Sequence, residues 1–292
     1  EKRGLIGFDA WDDAGRNQAV SKTLSVSFEL LTDDERARFG ELAIFPEDVN
    51  IPLATVETLW RATAGLDDLD TEDLCARLVN LSLLLEYDLQ ARTLRLHDVI
   101  RTYLRGIAPE SRRGDSASRP YNAPSRPYNA PSRSYNAPDL ITLNGKFLDG
   151  YKIQQWADLP HDEPYLWDWL AYHLTEAGRG AELVAAVMDM PYLATKTWLK
   201  QAAAVESDLI EAEKYAPDSA LASGSGGEVL SLLRRNFVNT GHILNRCKTF
   251  AEVSATLYNH LLHLAQFQDV LAGWERPTNR IEAHLPLPDL PD

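Results

Sequence analysis

Three tandem copies of a seven-residue unit, SRPYNAP-SRPYNAP-SRSYNAP, run from Ser118 to Pro138 and divide the chain. Each copy carries proline, which fixes φ and removes an amide donor, so the period of seven is not a coiled-coil heptad. Its apolar side chains are too few to offset the entropy of ordering. Residues 107–138 are therefore expected to form an exposed, extended linker, and folding is left to the two flanks. The total of 292 residues suits about two domains of roughly 150 residues each. A hydrophobic content of 45% against 25% charged residues is enough for two cores.

Charge separates the same three parts. The tract is locally basic at +3, whereas residues 1–106 carry −8 and residues 139–292 carry −9, giving the net −14. Repeated Arg and Tyr could stack on single-stranded RNA, but a solvated spacer is the simpler reading. With a pI near 4.9 the chain would repel phosphate backbones, which argues against general nucleic-acid binding. No apolar run approaches the roughly 20 residues that cross a bilayer. The start, EKRGLIGFDAWDD, lacks the order of a signal peptide. Cys75 and Cys247 form no spaced pattern, so no disulfide is expected, and the location expected is cytoplasmic.

The flank before the tract changes period along its length. Residues 33–45 start at a Thr32 or Asp33 cap, repeat apolar positions at helical spacing and stop at Pro46. Leu53 to Ala64 forms a second helix, and a third begins at an Asp70/Thr71 cap. Residues 83–87 and 92–97 then read as strands joined by a hairpin turn over residues 88–91. A last helix runs from Asp98 to about Leu104. Three helices, a β-hairpin wing and a closing helix predict a winged-helix domain.

Winged helices often read DNA with the third helix. Here residues 71–82 (TEDLCARLVNLS) offer one cation, Arg77, against Glu72 and Asp73. A recognition helix needs several cationic or amide side chains near its start. The wing adds Arg92 and Arg95, but the excess of acid argues against DNA.

Ordered motifs point elsewhere: SVSFELL at 25–31, LAIFPED at 42–48, Leu59-Trp60, LVNLSLL at 78–84 and Leu96-His97-Asp98-Val99-Ile100-Arg101. Together they resemble the winged-helix domain of NB-ARC proteins, the STAND-class signalling ATPases that include apoptotic protease-activating factor and plant disease-resistance proteins. The resemblance implies that residues 1–24 end a preceding helical domain and that 25–106 are the winged helix. It also implies that Leu96-His97-Asp98 corresponds to the family's MHD motif, with Leu in place of Met. Its His contacts the β-phosphate of bound ADP and holds the closed, inactive state. On its own terms an imidazole N–H can donate to a phosphate oxygen, and an aspartate at a helix start can cap amides. The bland alternative is a core-edge histidine satisfying its own hydrogen bonds.

The phosphate loop G-x-x-x-x-G-K-[ST] does not occur, nor does a strand ending in paired acids for magnesium. The chain is thus expected to be a regulatory piece rather than an enzyme. ADP or ATP would bind only in the intact parent protein. Its partners would be the missing nucleotide-binding domain, a downstream sensor and, once active, further copies of the parent.

Beyond Leu140 short helices follow one another: Pro164 to near Gly178, Ala181–Met190 stopped by Pro191, Tyr192–Ala204, Ser207–Tyr215, Val229–Leu244 and Phe250–Phe267. They predict an arm of stacked helical hairpins, TPR-like, over 139–276, broken by the SGSGG connector at 223–227. The stretch from Tyr165 resembles the helical arm that precedes a WD-repeat propeller in bacterial members of the family. The proline-rich residues 277–292 would be the exit toward such a sensor. The fold class expected is mainly α, a winged helix followed by a helical-hairpin domain.

Other candidates carry less. His260 and His263 share a helix face with metal-ligand spacing but have no third ligand nearby in sequence. Cys75 lies among apolar residues as a small hydrophobe. Trp167, Trp169 and Tyr172 suit core packing better than a ligand box. A winged-helix transcription regulator, or a pure protein-interaction module, remains the alternative reading.

Overall fold

The computed structural model describes residues 26–107, 139–216, 226–274 and 277, and it is mainly helical. It divides into two compact units, Glu1–Tyr151 and Lys152–Asp292. The expected end of a preceding domain, the SRPYNAP tract, Ser223–Ser225 and nearly all of the exit segment lie outside the described residues.

In the first unit, helix α1 (Asp33–Glu41) is capped by Thr32. The Thr32 hydroxyl accepts from Glu35 N at 3.2 Å and the Glu35 carboxylate accepts from Thr32 N at 2.8 Å, a reciprocal box that satisfies two orphan donors. A 3₁₀ turn, Leu42–Ile44, carries the chain to Pro46. Helix α2 (Leu53–Ala64) has the expected bounds, ended by Gly65 at φ 71°, where a side chain would be strained. Helix α3 (Asp68–Asn80) starts earlier than the Asp70/Thr71 cap expected. The Asp67 carboxylate reaches Asp70 N at 2.9 Å and starts the helix a turn sooner.

The wing is a three-stranded antiparallel sheet in the order β1-β3-β2. Its strands are β1 (Ile51–Pro52), β2 (Glu86–Asp88) and β3 (Thr93–Arg95), shorter than the sequence runs. Tyr87 pairs with Leu94 on one side of β3 and Ile51 pairs with Leu94 on the other. The Asp88 carboxylate accepts from Gln90 N and Ala91 N at 2.8 and 2.9 Å, folding the tip as an Asx turn. Helix α4 (Asp98–Ile107) closes the domain. The core between these elements holds Phe28, Phe39, Phe45, Trp60, Leu78, Leu94 and Leu104.

Helix α5 (Leu140–Gly150) packs within the first unit. Phe147 packs edge-on to Phe45 with centroids 5.8 Å apart. Gly150 lies so close to α2 that a Cβ there would meet the Ala62 methyl at 3.1 Å.

The second unit is all helical in its described residues: α6 (Pro164–Glu176), α7 (Gly180–Met188), α8 (Met190–Glu213), α9 (Gly226–Leu244), α10 (Phe250–Leu261) and the short α11 (Gln268–Ala272). Pro191 does not stop a helix as expected; it sits in the first turn of α8, where its missing N–H costs nothing. Gly226 and Gly227, expected in a connector, open α9. The helix expected over Phe250–Phe267 ends at Leu261, and a 3₁₀ turn (Ala265–Phe267) follows it.

The two helices expected between Tyr192 and Tyr215 are the arms of α8, but the break falls at Gln201 (φ 70°, ψ 166°) rather than near residue 205. The Tyr192 hydroxyl donates to Asp208 Oδ2 at 2.9 Å across this break. Sixteen residues of straight helix would span about 24 Å, so the arms fold back on one another.

Candidate functional site

The residues singled out for nucleotide sensing lie where β3 passes into α4. Leu96 is buried and anchors the segment in the winged-helix core. The carbonyl of His97 accepts from Arg101 N at 3.0 Å, which makes His97 the residue that enters α4. Its side chain is 49% exposed, with Nδ1 held against the carboxylate of Asp98. The site residues thus divide into one anchor and two surface groups. Half of the His97 ring meets solvent, and its Nδ1 faces the neighbouring Asp98 carboxylate.

What fixes this corner is α4 itself. Arg101, buried on the inner face, donates Nε to the Phe45 carbonyl and pairs through Nη1 with Glu47 at 2.7 Å. Arg105 donates Nε to the Ala43 carbonyl at 3.1 Å. The two Nε bonds tie α4 to LAIFPED across 56 and 62 positions in sequence. The sequence reading missed both arginines as positioning groups. Their spacing of four on a helix, on the face of Ile100 and Leu104, was the available signal.

The cations that a DNA-reading wing would use are engaged by carboxylates. Arg92, in the left-handed region at φ 49°, bridges Glu57 at 2.9 Å and Glu72 at 2.7 Å. Arg95 pairs with Asp48 at 2.8 Å, and Arg77 pairs with Glu35 at 2.7 Å. Burial, with Asp68 nearby, raises the Glu57 carboxyl above its ordinary range despite Arg92. An acidic cleft of about 540 Å³ between α1 and α3 is lined by Asp34, Glu35, Asp70 and Asp73 beside Arg38 and Arg77. A phosphate backbone would meet repulsion on this face.

Of the remaining candidates, Cys75 and the aromatic cluster are packed side chains. Cys75 is fully buried, and burial, reinforced by Glu57 and Glu72, pushes its thiol up to about 12. Trp167 is buried and stacks on Tyr192 at 5.5 Å, while Trp169 and Tyr172 meet edge-on. His260 is half-buried, which lowers its pKa, and His263 is exposed. Among the described residues no group of three or more His, Cys, Asp or Glu side chains could hold a metal ion. No described helix is long and apolar enough to cross a membrane.

Sequence reasoning also missed a buried polar cluster. Lys196 (1% exposed) pairs with Asp208 (5%), and Tyr192 donates to the same carboxylate oxygen. Desolvation raises the Asp208 carboxyl even against the attraction of Lys196. Nothing in the helical pattern marks a lysine for burial, since its partner lies 12 residues away across the turn of α8.

Residues 142–253 match the family model of the APAF-1 helical domain. The chain carries an APAF-1-like helical domain. The match begins inside α5 and ends in α10, so the APAF-1-like stretch includes the hairpin of α8 and the buried Lys196–Asp208 pair. No curated protein matches the chain at a significant level.

Proposed function

We propose that this chain is the regulatory and scaffold segment of a STAND-class signalling ATPase. The observation that carries the reading is one of order. A winged helix presenting His97 at the head of α4 is followed by a stretch matching the APAF-1 helical domain. In this reading the winged helix closes over ADP bound to a separate nucleotide-binding domain and keeps the parent protein inactive and monomeric. With both ring nitrogens as donors, His97 would give its Nε2–H to the β-phosphate while Nδ1–H donates to Asp98 and fixes the ring. The flanking Arg95 and Arg101 pair with Asp48 and Glu47, which supports His97 as the phosphate contact in this reading.

Exchange of ADP for ATP would remove the contact, release the winged helix and permit oligomerisation, a two-state element biased by nucleotide. The helical domain would couple that switch to a downstream sensor such as a WD-repeat propeller of the bacterial type. The segment itself performs no catalysis in this account. The test is the nucleotide content of the parent protein. Purified without added nucleotide, it should retain close to one ADP per chain, and a protein free of ADP would overturn the reading.

A further inference from the structure

Between Tyr192 and Ala216 the sequence has neither glycine nor proline. The corner of α8 reads Gln201-Ala202-Ala203-Ala204, strong helix formers throughout. Local preference is therefore for one continuous helix. Instead Gln201 adopts φ 70°, ψ 166°, a region that is essentially glycine's alone. A residue is held there only where its surroundings over-determine it.

The holding groups can be named. Tyr192 and Lys196 on the first arm both bond Asp208 on the second, in a fully enclosed cluster. Asn245, just past the end of α9, accepts from Ala202 N at 3.0 Å and satisfies the first amide of the second arm. Apart from the Thr175–Glu211 contact between α6 and the second arm, the arms find their polar partners on different helices. On the first, Tyr192 stacks on Trp167 and Lys200 pairs with Asp168 at 2.7 Å, both residues of α6. On the second, Glu213 pairs with Arg234 of α9 at 2.9 Å, and Ala202 lies 3.4 Å from where a Cβ on Gly241 would sit.

We propose that the corner at Gln201 is a two-state hinge inside the helical domain. In the folded-back state the Tyr192–Lys196–Asp208 clamp is closed. In the other state Gln201 becomes helical, the arms join into one rod, and the second arm swings away from α6 together with α9. The two states exclude each other, because a continuous helix separates Lys196 from Asp208 by about 18 Å. Opening also breaks the Thr175–Glu211 bond and the edge-on contact of Trp198 with Phe250. A partner that engages one arm and its helix only would bias the equilibrium.

Distances between spin labels test the hinge. Labels go on Pro191→Cys and Ile210→Cys in a Cys247→Ser background, with buried Cys75 left in place. The folded-back chain should give one distance of about 10–15 Å, set by helix-to-helix packing. Tyr192→Phe and Asn245→Ala, which loosen the clamp without stranding a charge, should add a population near 28 Å, the span of 19 helical residues. Adding Gln201→Gly, which removes the strain of the corner, should cut that population by about tenfold or more. Circular dichroism distinguishes hinging from unfolding. The proposal is overturned if the loosened variants keep their helix content and show only the short distance. It is equally overturned if the long distance appears only with loss of helix, or if Gln201→Gly fails to suppress it.

Discussion

Arg101 of α4 places its guanidinium on the Phe45 carbonyl and on the Glu47 carboxylate, 2.7 Å away, and so locks the head of α4 onto the turn that follows α1. His97 sits one helical turn before it, and its own carbonyl accepts the Arg101 amide. The position of the exposed imidazole thus depends on a buried arginine.

Replacing Arg101 with alanine should strand the Phe45 carbonyl and remove a charge-assisted bond. A loss of about 2–4 kcal/mol of winged-helix stability is expected. Urea unfolding measures it, and Arg101→Lys should recover less than half, since one ammonium cannot serve both acceptors in the same geometry.

Helix α5 belongs with the winged helix through Phe147, which is fully buried beside Phe45. Phe147→Ala should cost about 3–5 kcal/mol. Hydrogen exchange should report the loss in α2 and α5 of the first unit, leaving α9 and α10 unchanged.

Stability should depend on pH with a defined sign. Desolvation raises the Glu41 carboxyl in the folded state, outweighing Arg38 and the Thr63 hydroxyl. Glu57, Glu163 and Asp189 are raised by burial as well. In the window between the ordinary carboxylate pKa and these raised values the folded state binds more protons than the unfolded one. The contribution of these groups to stability is therefore greatest below the window and falls as pH rises through it. Thermal melts from pH 4 to 7 should show this fall, and Glu41→Gln, which keeps an acceptor for Thr63, should make it shallower.

The two thiols should react in sequence. Cys247 is half-buried near the end of α9, whereas Cys75 is enclosed with its thiol raised to about 12. A thiol reagent at pH 8 should titrate one cysteine in the native protein and two in denaturant.

The pairing of Arg77, Arg92 and Arg95 with carboxylates leads to a negative expectation for DNA. A low-salt gel shift with mixed duplexes should show no discrete complex. A tight, sequence-dependent band would restore the transcription-regulator reading.

Much of the architecture was legible because single residues mark it. Gly65 ends α2, the Asp88 turn folds the wing and Thr32 starts α1, each by chemistry confined to a few neighbouring residues. Competing signals blurred other bounds. Asp67, Asp68, Asp70 and Thr71 all can cap α3, and only the fold selects Asp67. Pro191 reads equally as a stop or a first-turn residue. The corner at Gln201 was illegible because its local sequence favours helix and tertiary bonds override it. The position of His97 came from the resemblance of its motif, while the acceptors of Arg101 and Arg105 lie 56 and 62 residues away, so their spacing of four marks a shared face but not its partners.

The proposed role of His97 is tested most directly in the proposed parent ATPase. The decisive measurement is the release rate of labelled ADP from wild type and from His97→Ala, both folded by circular dichroism. Loss of one hydrogen bond to a charged phosphate, worth about 1.5–3 kcal/mol, predicts release at least about tenfold faster, with more spontaneous oligomer. Release at the wild-type rate would contradict the account.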